Sequence, residues 1–82
     1  MNDAEILKHI TELVNEEHEL DKRAGQEEGG LSEEQRARMQ ALEVSLDQCW
    51  DLLRQRRARR SAGLNPDEAK VRDPGIVEHY LQ

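Results

Sequence analysis

Apolar residues along the first third of the chain fall at helical spacing. Ile6, Ile10, Leu13, Leu20 and Ala24 follow steps of four and three when Glu17 is counted in the row. Leu7 and Val14 widen that stripe on one side. Asn2 precedes it, with Glu5 three residues later, the pattern of a capping box in which each side chain satisfies a free backbone N–H. The pattern predicts a helix over 3–24, ended by Gly25. Residues 25–31 hold three glycines and no period, and read as a loop. Ser32 and Gln35 form a second capping box, and Glu33 and Glu34 sit where the helix dipole favours anions. Met39, Leu42, Leu46, Cys49 and Leu53 then repeat as a coiled-coil seam, with Trp50 and Leu52 beside it. This second helix should run to about Ser61. Gly63 is a natural residue for the left-handed position after it, and Leu64 can supply the apolar contact of a Schellman motif.

Two short pieces follow, each with proline at its first helical position: Asn65-Pro66-Asp67-Glu68 and Asp73-Pro74. Ile76, Val77, Tyr80 and Leu81 would share one face of a last turn or two. Segments this short do not fold alone. The tail is therefore expected to dock on the hairpin, near Trp50 and Leu53.

Folding the two long helices back on each other aligns residues 20/39, 17/42, 13/46, 10/49 and 6/53, all apolar seam positions except Glu17. The same register sets Asp3 near Arg56. The expected fold is all-α: an antiparallel two-helix hairpin over residues 1–63, coiled-coil-like, and a C-terminal tail over 64–82 with short helical turns. Two helices do not cover both stripes. Leu7, Val14, Trp50 and Leu52 need a partner, which a homodimer packed as a four-helix bundle would supply.

Composition sharpens this picture. At 82 residues the chain is one small domain, and small cores are marginal without disulfides, metal or oligomerisation. A single cysteine, Cys49, forms no internal disulfide, and no Cys/His cluster has zinc spacing. Oligomerisation is the remaining remedy. No apolar run is long enough to cross a membrane and no secretory segment opens the chain, so a reducing cytoplasm is the expected compartment. The formal net charge of −6 conceals an asymmetry: residues 1–34 carry −8, residues 35–62 carry +4 and residues 63–82 carry −2. An antiparallel hairpin accounts for it by laying the acidic start of the first helix beside the basic end of the second.

The string Leu-Asp-Gln-Cys-Trp-Asp-Leu-Leu-Arg-Gln-Arg-Arg-Ala from Leu46, the opening Ile-x-x-Leu-Val-x-Glu-Glu-His-x-Leu from Ile10 to Leu20, and the Asn-Pro-Asp-Glu-Ala of the tail are distinctive together. In them the chain resembles a family of small actinobacterial proteins labelled as a domain of unknown function. The resemblance spans nearly the whole chain. It implies a bacterial protein and brings with it no activity, cofactor or partner.

Four groups of side chains invite chemistry. Glu5, His9, Glu12, Glu16, Glu17 and His18 suggest metal, but the Glu-x-x-His of bundle di-iron sites is missing, and a solvated acidic face accounts for them better. Arg54, Arg56, Arg57, Arg59 and Arg60 suggest an anion, a partner or nucleic acid, because guanidinium forks match phosphate and carboxylate. No aromatic interleaves that run, and helix 1 can neutralise several of its charges. Pairing within the chain is therefore favoured over nucleic acid. Glu27, Glu28, Glu33 and Glu34 give the hairpin an acidic tip. In shape and charge it is similar to the magnesium-holding probes of transcript-cleavage factors, though a solvated loop suffices. Leu46, Asp47, Asp51, Leu53 and Arg54 are loosely similar to a helix of the all-helical chorismate mutases, without the converging cations such a pocket needs. Cys49 has no histidine beside it in sequence and reads as a packed thiol. The expectation is a non-enzymatic interaction or assembly module without cofactor. It would be a homodimer with an unidentified protein partner, and a nucleic-acid-associated protein or a small metal-binding or catalytic protein would be the alternatives.

Overall fold

A computed structural model describes residues 1–26 and 28–81, with side chains through residue 77. Three helices form in order: α1 over Asp3–Gln26, α2 over Glu33–Ser61 and α3 over Pro74–Leu81, with a 3-10 turn at Pro66–Glu68 before α3. No strand occurs among the described residues.

Both capping boxes form. The Glu5 amide donates to Asn2 Oδ1 at 2.8 Å while the Asn2 amide donates to Glu5 Oε1 at 3.2 Å. Ser32 and Gln35 exchange the same two bonds at the start of α2. α1 runs through Gly25 to Gln26. Gly25 carries no positive φ, so it adds flexibility there without ending the helix. α2 closes in a full Schellman motif: Leu64 N–H donates to Arg59 O at 2.8 Å and Gly63 N–H to Arg60 O at 3.1 Å, with Gly63 at φ 75°. Leu64 itself stays exposed, so the motif rests on its hydrogen bonds. Both proline devices act as starts. Asn65 Oδ1 accepts from the Asp67 amide, and Asp73 Oδ1 from the Gly75 amide.

α1 and α2 pack as an antiparallel hairpin around two clusters. Ile6, Ile10 and Leu52 form one, with Val14, Leu46, Cys49, Leu53 and Ala69 against it. Leu13, Leu20 and Leu42 form the other, with Met39 and Leu31 beside them. The expected register is observed: Arg56 donates from Nε to Asp3 Oδ1 at 2.5 Å.

The tail folds back antiparallel along α2 and α3 packs on α2. Its location corrects the expectation. The tail lies over the Gln48–Asp51–Gln55–Arg59 row, on the far side of α2 from Trp50. Among the described tail residues, only Ala69 reaches the cluster that holds Leu53. Its attachment is also more polar than expected. Gln48 Nε2 donates to Arg72 O at 3.2 Å, and Gln55 Nε2 to Lys70 O at 2.8 Å. Val77 is fully buried, whereas Ile76 is exposed; the side chains of Tyr80 and Leu81 lie outside the described residues, as does Glu27 of the acidic tip.

The buried face of α2 is also wider than its seam, since Leu52 packs on Ile6 and Ile10 of α1. Leu52, placed beside the seam by spacing, is covered within the chain, and Leu53 is only half-buried. Of the residues expected to need a partner, Leu52 is therefore already satisfied and Val14 partly so.

Candidate interaction site

The arginine end of α2 is largely closed by its own chain. Arg56 is 5% exposed. Besides Asp3 it donates to Asp67 Oδ1 at 3.0 Å and to Pro66 O at 3.2 Å. Arg60 Nη2 donates to Asp3 Oδ2 at 2.9 Å. Arg59 donates to Asn65 O at 2.7 Å and to Glu68 Oε2 at 2.6 Å. The hydrogen bonds from Arg56 and Arg60 hold the Asp3 carboxyl below the ordinary carboxylate range. Arg54 and Arg57 face solvent, Arg54 with an Nη2 4.0 Å from Asp51. Arg56, Arg59 and Arg60 are thus hydrogen-bonded to other parts of the chain, Arg54 only approaches Asp51, and Arg57 points to solvent.

Asp51 was not singled out for this role by spacing. Its side chain is fully buried and accepts both a forked pair of bonds from Arg72 and a bond from Gln55 Nε2 at 2.9 Å. The Arg72 fork holds its carboxyl low against the opposing effect of burial. The signal for this pairing was present. A chain reversed at Gly63 brings Asp67 and Glu68 back to Arg56 and Arg59, and Arg72 to Asp51, so opposite charges meet.

The other candidates do not assemble. Among the described residues no three His, Cys, Asp or Glu side chains converge as a metal-ligand set. Glu16 is forked by Arg38 across the hairpin, which accounts for one carboxylate of the acidic face. His9 lies 3.9 Å from Glu12. Cys49 borders a small cleft with His9, Gln48, Leu52 and Val71. Burial pushes its thiol pKa up, away from the thiolate that a nucleophile requires. Glu28, Glu33 and Glu34 are exposed at the tip.

What remains is a side of the hairpin that none of the described residues covers. The Glu16–Arg38 pair, the His9 cleft and the tail all lie on one side. At about 100° per residue around each helix axis, Leu7 and Val14 of α1 and Met39, Leu46, Trp50 and Leu53 of α2 fall on the other. Leu7 is 47% exposed and Trp50 46%, while Val14, Leu46 and Leu53 are half-buried. Of the other exposed large apolar side chains, Met1 and Val71 line the His9–Cys49 cleft on the tail side, and Leu64 and Ile76 stand on the tail. Leu7 and Trp50 instead border one apolar strip.

No helix among the described residues is long and apolar enough to cross a membrane. No solved structure matches the chain. Uncharacterised proteins of Mycobacterium bovis and of two Mycobacterium tuberculosis strains are similar to it, each 52% identical over 79 residues that span 95% of this chain and 88% of the relative. The sequence model of one family matches residues 2–82, its description being "Protein of unknown function (DUF2630)". With near-complete coverage and relatives at this identity, the chain belongs to that DUF2630 family.

Proposed function

We propose that this chain is a non-enzymatic assembly module of the bacterial cytoplasm that forms a homodimer, two hairpins packing as a four-helix bundle. The observation that carries this is the joint exposure of Leu7 and Trp50 on one side of the hairpin. A Trp is among the costliest side chains to leave in water and the commonest anchor of an interface. A domain of this size buries a limited share of its surface alone, and a second copy enlarges the core. The internal pairing of Arg56, Arg59 and Arg60 favours this reading over nucleic-acid binding, which needs cations free to displace counterions.

Sedimentation equilibrium at micromolar concentration should return about twice the 9.5 kDa chain mass. The chain mass at every concentration, with a cooperative melt, would show that one hairpin and its tail suffice.

A further inference from the structure

The charges flanking Trp50 on α2 are ordered by sign. Glu43 and Asp47 lie seven and three residues before it, and Arg54 and Arg57 four and seven after it. All four fall within about 60° of Trp50 around the helix axis, so they share its open side. Glu43, Arg54 and Arg57 are exposed and Asp47 is half-buried. Glu43, Asp47 and Arg57 have no ion-pair partner among the described residues. Within α2 each charge has a like-charged neighbour one turn away, Glu43 beside Asp47 and Arg54 beside Arg57, an unfavourable arrangement in a lone helix.

Resting on the dimer reading above, we infer that the occupant of this face is a second copy whose α2 crosses the first antiparallel about a twofold axis at Trp50. Arg57 then meets the partner's Glu43, and Arg54 lies beside the partner's Asp47. The geometry follows from equal arms. Glu43 and Arg57 are each about 10 Å from Trp50 along the axis, so reversing one helix superposes opposite charges. A parallel arrangement would superpose like charges. An isologous contact uses each pair twice, which doubles the effect of any change. The centre of the patch is apolar, with Trp50, Leu46, Leu53 and Leu7, and the charges form its rim, the usual layout of an interface.

Sedimentation velocity on the full chain tests this with Arg57→Glu, Glu43→Arg and the double variant. Circular dichroism checks that each remains helical. Each single reversal should raise the dimer dissociation constant roughly tenfold or more, and the double reversal should recover most of that loss. An equimolar mixture of the two single variants should also recover dimer, since each reversed charge then meets its opposite. If the wild type dimerises but single reversals leave it unchanged, or the double variant recovers nothing, the antiparallel orientation is wrong and the dimer reading stands. A wild type that is monomeric throughout overturns both, and an electrophoretic shift of that monomer with single-stranded RNA would assign Arg54 and Arg57 to nucleic acid instead.

Discussion

Replacing Arg72 by alanine should lower the free energy of unfolding by about 3 kcal/mol, from the known cost of removing one partner of a buried pair. Asp51 is fully buried, and Arg72 provides its forked hydrogen bonds. Without Arg72 the carboxylate keeps, among the described residues, Gln55 and the more distant Arg54. The value lies at the low end of the range for such pairs because Arg72 is one-third exposed and water can reach the site. In a domain of this size the melting temperature should fall by more than about 10 °C. A double-mutant cycle with Asp51→Ala separates the pair from the rest of each side chain, and a coupling of at least about 1 kcal/mol is expected. Arg72→Lys should recover only part, since an ammonium makes no planar fork. The pH dependence has a definite sign. The folded pKa of Asp51 lies below its unfolded value, so its contribution is complete above the ordinary carboxylate range. It is lost as pH falls through the folded value, and Arg72→Ala should flatten that acid limb of the stability profile. Equal acid sensitivity in both proteins would show that the pair contributes little.

Ile6→Ala should be at least as damaging, at about 3–4 kcal/mol, by the usual sum of lost transfer energy and residual cavity. Ile6 is fully buried where α1 meets Leu52, with Ala69 of the tail packed against the same cluster. Two helices and a strap converge there, so the site has little freedom to collapse around a smaller side chain. Small domains have total stabilities of roughly 4–12 kcal/mol at this length, and the loss is a large fraction of that. Urea unfolding at one fixed protein concentration measures it, since self-association would otherwise enter the comparison. A change below about 1 kcal/mol would mean that the cluster is loosely packed and the hairpin register adjustable.

The long helices were legible because they depend on local signals. The 3-4 spacing, both capping boxes, the Gly63 reversal and the Asp3–Arg56 approach all follow from residues close in sequence or from one register choice. The tail was legible as two proline-started turns, but not in its placement. Its apolar face suggested Trp50 and Leu53 as the docking point. The structure instead attaches it through Asp51, Gln48, Gln55 and Arg59. Hydrophobic periodicity carries no information on such a row, because its members are polar and their partners are largely backbone carbonyls. Burial of Asp51 followed from that strap, and only the charges of the reversed chain, not its apolar spacing, pointed to the Arg72 pairing. The division of the arginine cluster depended on the tail as well. Asp67 and Glu68 engage Arg56 and Arg59, and Arg54 and Arg57 are left on the open side with Trp50.

Trp50 is the only tryptophan in the chain and lies at the centre of that open side, so its fluorescence reports the central claim without a label. Emission should be recorded from nanomolar to high micromolar chain concentration at constant salt. A dimer through this face predicts a water-exposed spectrum on dilution. It also predicts a concentration-dependent shift to the blue that saturates, with iodide quenching falling in parallel. A spectrum and quenching that stay water-exposed and unchanged across the whole range would contradict the assembly of two hairpins through Trp50.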